Sequence, residues 1–274
     1  TSRHVETEVG SLFVEEHGRP SGPAVLLWPS LYCAGSMWRA QIAELANTYR
    51  VLVLDPPGHG RSGRPPARFS MADTAEATMA VLDAFGIRSV TMVGSAWGGM
   101  VGVQLAATVP ERVHALVMIN SPMDRWRGFQ RAQLALLTAL IGLAGPRPVE
   151  PLITRAMLSR RFRVAEPDRA HAFAADLRSF GRRGLFRAVR SVMLDRPSLL
   201  PLLGGLTVPV LAIAGAEDQL WTVRRARAET ATIPDLRFEV VPGTAHLSAY
   251  EDPAAVNRLV IEFLDTAADP TPEN

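Results

Sequence analysis

The sequence predicts an α/β fold: a doubly wound, mostly parallel sheet of eight strands, with helices on both faces and a helical insertion after the sixth strand. Three observations carry it. Predominantly apolar runs of strand length, Ala24–Trp28, Arg50–Leu54 and Val113–Ile119 among them, alternate with helix-length amphipathic patterns. These runs do not alternate polar with apolar, as strands covered on both faces require. The strand signal then stops at about residue 121 and resumes after about 205.

In chain order, residues 3–9 and 12–17 alternate around Gly10-Ser11 and predict an antiparallel hairpin at a sheet edge. Residues 24–28 give a buried strand, 38–46 a helix, 50–54 the next strand, and PPGHGRSG a turn. A helix is expected over 71–85, a strand over 90–93, a helix over 98–108 and a strand over 113–119. Inside the insertion, 129–143 and 170–185 read as helices, broken by Gly-Pro and Arg-Pro pairs. The sheet resumes with strands over 210–214 and 237–241, and helices over 223–232 and 253–267. The tail DPTPEN is expected to fray. The core is therefore 1–121 and 206–274, and the insertion 122–205.

With 274 residues, 47% of them hydrophobic, and a net charge of +2, the chain is long enough for one α/β domain with an insertion. No apolar run reaches the roughly 18 residues of a membrane span, and TSRHVETEVG lacks a basic stretch followed by an apolar one. The expectation is a soluble, cytoplasmic protein with no membrane partner. The single cysteine, Cys33, excludes an internal disulfide and reads as a small buried residue. Residues 124–205 hold 15 arginines against six acidic residues, while the rest of the chain is net acidic. Those arginines lack the interleaved aromatics of single-strand binding, so a solvated face is expected and no nucleic-acid partner.

Residues 90–102, VTMVGSAWGGMVG, pass from an apolar run into a glycine-rich turn and a new apolar pattern: strand, sharp turn, helix. Gly94, Ala96 and Gly98 stand in the register of a G-x-S-x-G elbow, with alanine where the nucleophile belongs. Ser95 has no flanking glycines in that register. In an open α/β sheet, ligands bind beyond the carboxyl ends of the strands. The residues to examine are therefore Pro29, Ser30 and Leu31; Ser95, Ala96 and Trp97; 120–124; Glu217 and Asp218; and His246. The remaining histidines, His4, His17, His59, His114 and His171, read as loop residues on the surface.

Positions 96, 218 and 246 fall in the order nucleophile place, acid, histidine, and here the chain resembles the α/β-hydrolase fold family. MVGSAWGG resembles its elbow, LDPPGHGRSG the turn after the preceding parallel strand, AGAEDQLW its acid loop and VPGTAHLSAYEDP its histidine loop. The resemblance implies that His246 moves the proton, Asp218 holds the imidazole, and backbone N–H groups of Trp97 and of Ser30 or Leu31 bind the oxyanion. Glu217 and Asp124 are competing acids. Where the family usually has His-Gly, this chain has Trp28-Pro29, which implies a flatter, more apolar mouth. Trp28, Met123, Trp126, Trp221 and Leu247 are the expected pocket lining. Arg125, Arg127 and Arg131, nearest the strand end, are the first candidates to meet a substrate carboxylate.

The implied activity is hydrolysis of a small ester or lactone through an acyl-enzyme, with no cofactor or metal and with the insertion as a lid. An alanine cannot attack, so Ala96 is read as replacing a serine in a copy that binds without turnover. Alternatives are a natural pseudo-hydrolase that binds a small ligand, a carbon–carbon bond hydrolase, and an aspartate-nucleophile relative. The last is disfavoured because an H-G-x-P loop is absent and Tyr32, Tyr49 and Tyr250 all lie outside 124–205. A homo-oligomer is compatible with the sequence.

Overall fold

In the computed structural model, which describes residues 1–267, eight strands form one sheet in the order β1-β2-β4-β3-β5-β6-β7-β8. The strands are β1 (Ser2–Val5), β2 (Leu12–Gly18), β3 (Ala24–Trp28), β4 (Arg50–Leu54), β5 (Val90–Ser95), β6 (Val113–Ile119), β7 (Val210–Gly215) and β8 (Leu236–Val241). β1 pairs antiparallel with β2, and β2 with β4, while every later pairing is parallel. The expected edge hairpin forms, with Val5 opposite Leu12. β5 and β7 are buried along their whole length, which explains why neither alternates polar with apolar residues. The expected tail, 269–274, lies outside the described residues.

The helices are α1 (Arg39–Leu45), α2 (Met71–Ala84), α3 (Trp97–Thr108), α4 (Gly128–Ala144), α5 (Glu150–Met157), α6 (Arg160–Ala165), α7 (Pro167–Ser179), α8 (Arg182–Val189), α9 (Leu200–Leu203), α10 (Val223–Thr230), α11 (Ser248–Glu251) and α12 (Pro253–Ala267). α2 starts at a reciprocal cap: Ser70 Oγ accepts from Asp73 N, and Asp73 Oδ2 accepts from Ser70 N. Among the described residues no helix is long and apolar enough to cross a membrane.

Helices α4 to α9, with a π-helical turn at Arg190–Asp195, all lie between β6 and β7. One expectation here is corrected. Residues 170–185 are two helices, because Phe180 leaves helical geometry (φ −67°, ψ 137°) and Gly181 caps α8. Phe180 is buried against the ring of His59, a tertiary contact that outweighs local helix periodicity.

Both ends of this segment are pinned by Arg196, whose guanidinium donates to the carbonyls of Pro122, Met123, Asp124 and Pro197 at 2.8–3.1 Å. Burial lowers its pKa to about 10, against the opposing pull of Glu229. Further contacts tie the segment to the core: Phe69 N donates to Ser191 Oγ, Ser36 Oγ to Asp176, and Gly58 meets Gly184 backbone to backbone.

The sharpest constraint is at the start of α3. A Cβ on Gly94 would stand 2.1 Å from the carbonyl carbon of Gly98, and one on Gly98 would stand 2.2 Å from Trp28 O. Neither neighbour is a flexible side chain, so neither can yield. Gly98→Ala is expected to destabilise the protein by about 3 kcal/mol or more, as overpacking of an immovable backbone does. Urea denaturation would check it, and a change within about 0.5 kcal/mol would refute the close approach as a constraint.

Candidate active site

The carboxyl ends of β3, β5, β6 and β7, together with the loop after β8, bring the sequence-derived residues to one place. Ala96 joins β5 to α3 with φ 48° and ψ −100°, a left-handed conformation that costs a non-glycine residue on the order of 1–3 kcal/mol. Its N–H donates to Ile119 O, and its carbonyl accepts from Met100 N, so the elbow is fixed from both sides. The methyl faces a cavity of about 30 Å³ that His246, Ser30, Leu31 and Trp97 also line.

His246 Nδ1 lies 2.8 Å from Asp218 Oδ2, and both side chains are buried. Asp218 is held from every side. Oδ1 accepts from the N–H groups of Leu220 and Trp221, and Oδ2 also accepts from Asn120 Nδ2 at 2.9 Å. Burial works against ionisation, but the charge of His246 and the hydrogen bonds from His246, Trp221 and Asn120 outweigh it and hold the carboxyl below its ordinary pKa. The imidazole thus donates from Nδ1, and among the described residues its Nε2 has no hydrogen-bond partner. Neither Glu217 nor Asp124 takes this place: Glu217 is exposed, and Asp124 pairs with Arg127.

Asn120 had drawn no role from the sequence beyond its place after a strand. It sits at φ 49°, where asparagine is tolerated, and its amide bonds Asp218, Ala245 O and Ser248 N. It therefore orients the acid and the histidine loop together.

The loop after β3 separates the two N–H groups that the sequence left open. Ser30 N is occupied by Met37 Sδ, Tyr32 N donates to His59 Nε2, and Cys33 N donates to Ser30 O. Among the described residues, Leu31 N and Trp97 N have no acceptor, and both residues border the cavity. Trp97 opens α3, where the first N–H groups of a helix are unsatisfied. Leu31 and Trp97 are thus the available donor pair.

Several lining expectations are corrected. Trp126 borders the cavity, but Trp28, Met123, Trp221 and Leu247 are fully buried behind its wall. Trp28 packs edge-on to Trp97, and Trp221 turns its indole N–H to Glu229 on α10 at 2.9 Å. Met123 and Leu247 are held by their backbones: Met123 N donates to Glu229, and Leu247 N to Met157 O. The wall is instead completed by Tyr32, Met100, Pro122, Met157, Val192, Met193 and Leu220. Met157, Val192 and Met193 come from the segment between β6 and β7, the last two from its π-helical turn. Arg125, Arg127 and Arg131 are exposed and border none of it; Arg131 donates to Leu194 O.

His59 is also corrected: it is fully buried rather than on the surface. Its Nδ1 bonds Pro57 O, so Nε2 is free to accept from Tyr32 N, a neutral tautomer that latches the loop carrying Leu31. Tyr32 itself is buried at φ 69°, and among the described residues its hydroxyl has no partner. Glu251 binds the histidine loop to the insertion by accepting from both Ala245 N and Ser159 N; burial raises its pKa despite those bonds. Among the described residues no cluster of three or more His, Cys, Asp or Glu could hold a metal ion.

A family model described as alpha/beta hydrolase fold matches residues 23–253. The chain belongs to that family. It is 31% identical over 271 residues to the Variovorax paradoxus protein named "Putative carbamate hydrolase RutD", covering 94% of this chain and 98% of that one. It is 28% identical to 3-oxoadipate enol-lactonase 2 of Acinetobacter baylyi, covering 89% of each. Among solved structures, a thermophilic esterase from Thermogutta terrifontis superposes with a TM-score of 0.91 at 22% identity, covering 98% of this chain and 100% of that one. At that identity the likeness establishes the fold.

Burial lowers the pKa of His59 to about 4, against an opposing hydrogen bond to Pro57 O, while in the unfolded chain it titrates near 6.5. The neutral form is the folded form, so its contribution is complete above pH 6.5, falls as pH drops towards 4, and levels off below. The loss amounts to about 3 kcal/mol. Between pH 7 and 4 the parent is expected to lose about that much more stability than His59→Gln in urea titrations. Equal losses would show that His59 charges freely in the fold.

Proposed function

We propose that this is the site of a carboxylic ester or lactone hydrolase of the Ser-His-Asp type, in which alanine stands at the nucleophile position, so that this chain binds substrate without turning it over. The reading rests on one observation above others: the buried Asp218–His246 pair beside a strained elbow that presents Ala96. Strain of this kind is kept where the surroundings enforce it, and it commonly accompanies a reacting group. An acid held by three N–H donors and an imidazole has no packing reason to be buried there.

With an oxygen on residue 96, the chemistry follows the geometry. The hydroxyl attacks the acyl carbon while His246 Nε2 takes its proton, and Asp218 fixes the tautomer and stabilises the imidazolium. The N–H groups of Leu31 and Trp97 receive the oxyanion, a contribution of roughly 3–4 kcal/mol per donor in sites of this type. His246 returns the proton to the leaving alkoxide, and water then releases the acid by the reverse sequence. Met100, Trp126, Met157 and Val192 give the reacting carbonyl an apolar setting. The enol-lactonase and esterase named above make esters and lactones the first substrates to try, and the carbamate hydrolase name adds carbamates.

Ala96→Ser is expected to raise ester turnover about a million-fold over the parent, the factor lost when a triad serine is removed from a well-measured protease. p-Nitrophenyl acetate release would measure it. In that background Asp218→Asn should cost about 10⁴ in kcat by holding the wrong tautomer. A folded but inert Ala96→Ser protein would make the chain a small-ligand binder instead.

A further inference from the structure

The cavity at Ala96, about 30 Å³, has room for one or two water molecules and is too small for an ester. Ligand sites usually run to roughly 300 Å³ or more. Beside it lies a cavity of about 410 Å³ between α7 of the insertion and the core. Its walls are more apolar than polar, with Met37, Ala172, Phe173 and Tyr250 among them; its charged members are the half-buried Arg169 and the exposed Arg39 and Asp176. Among the described residues, Tyr32 alone borders both cavities.

Tyr32 carries two local penalties. Its backbone is in the left-handed region that favours glycine, and its buried hydroxyl lacks a partner among the described residues. A core tyrosine normally satisfies that hydroxyl. The side chain is thus held by the space around it, with no polar anchor to lock it, whereas its backbone is latched through its N–H to His59. The ring can leave without unseating the loop that carries Leu31.

We infer that Tyr32 is the gate between the two cavities, and that the larger one is the subsite for the non-reacting arm of an ester or lactone bearing an extended, mainly apolar chain. The inference rests on the acyl-transfer reading of the smaller cavity. Displacement of the Tyr32 ring joins the two spaces. The carbonyl then sits by Ala96, and the arm runs past Phe173 towards the rim. Because each buried methylene contributes roughly fourfold in affinity, the site should discriminate by chain length.

The chain as it stands can be tested, since Ala96 leaves esters intact. Calorimetric titration with methyl acetate, methyl butanoate and methyl octanoate should show affinity rising about fourfold per methylene as far as the octanoate. Tyr32→Gly, which suits the backbone, should raise the octanoate-to-acetate affinity ratio about tenfold. Phe173→Trp should flatten the series beyond butanoate, and so should Ala172→Phe, placed on the exposed side of α7, where folding is not at risk. A series already flat in the parent, or one unmoved by both cavity-filling variants, overturns the subsite; an unchanged ratio in Tyr32→Gly overturns the gate. Ester turnover by Ala96→Ser is scored separately. Inert protein with a steep binding series removes the hydrolase and keeps the subsite, whereas turnover of the acetate ester with a flat series does the opposite.

Discussion

The close approach of three backbone segments at the elbow is the constraint from which the site follows. β5 runs into α3 with no room for a side chain on Gly94 or Gly98, and α3 is pressed onto the end of β3 through the Trp28 carbonyl. Ala96 has nowhere to go but the left-handed region, which aims its Cβ out of the sheet. The same compression sets the first N–H of α3 beside the loop after β3. Leu31 and Trp97 therefore reach one small space although 66 positions separate them in the chain.

Around that backbone, buried polar groups are arranged so that each fixes another. Asn120 orients Asp218, Asp218 orients His246, and Glu251 ties the histidine loop to the insertion. Glu229 and Arg196 do comparable work outside the cavity, anchoring Met123 and the two ends of the insertion. Groups of this kind are costly when half-satisfied and rigidifying when complete. The apolar wall owes its shape to them as much as to packing.

The sheet was legible in the sequence because its central strands are covered on both faces and so read as predominantly apolar runs without polar alternation. The elbow, Asp218 and His246 were legible because a parallel sheet places its working residues just past the strand ends, and strand ends can be located by composition alone. His59 was not legible: what buries it is Phe180 and Trp97, distant in sequence, and a glycine-rich turn reads as exposed. The lining failed for a similar reason. Tryptophan was expected at the mouth because Trp28-Pro29 replaces the usual His-Gly, yet Trp28 and Trp221 are core residues, and Trp221 spends its indole N–H on Glu229 of the following helix. The break at Phe180 also depends on tertiary contact, which periodicity does not encode.

The insertion rests on the core partly through bare backbone, Gly58 against Gly184, where a Cβ on either would intrude to about 3 Å or less. Gly58 adjoins His59, and His59 clasps the N–H of Tyr32. A methyl group added at this seam would therefore wedge apart two surfaces and, through one intervening ring, shift the partition between the chambers. Neither glycine lines either cavity, so the seam is a remote point from which the spacing of insertion and core can be changed without touching a lining residue.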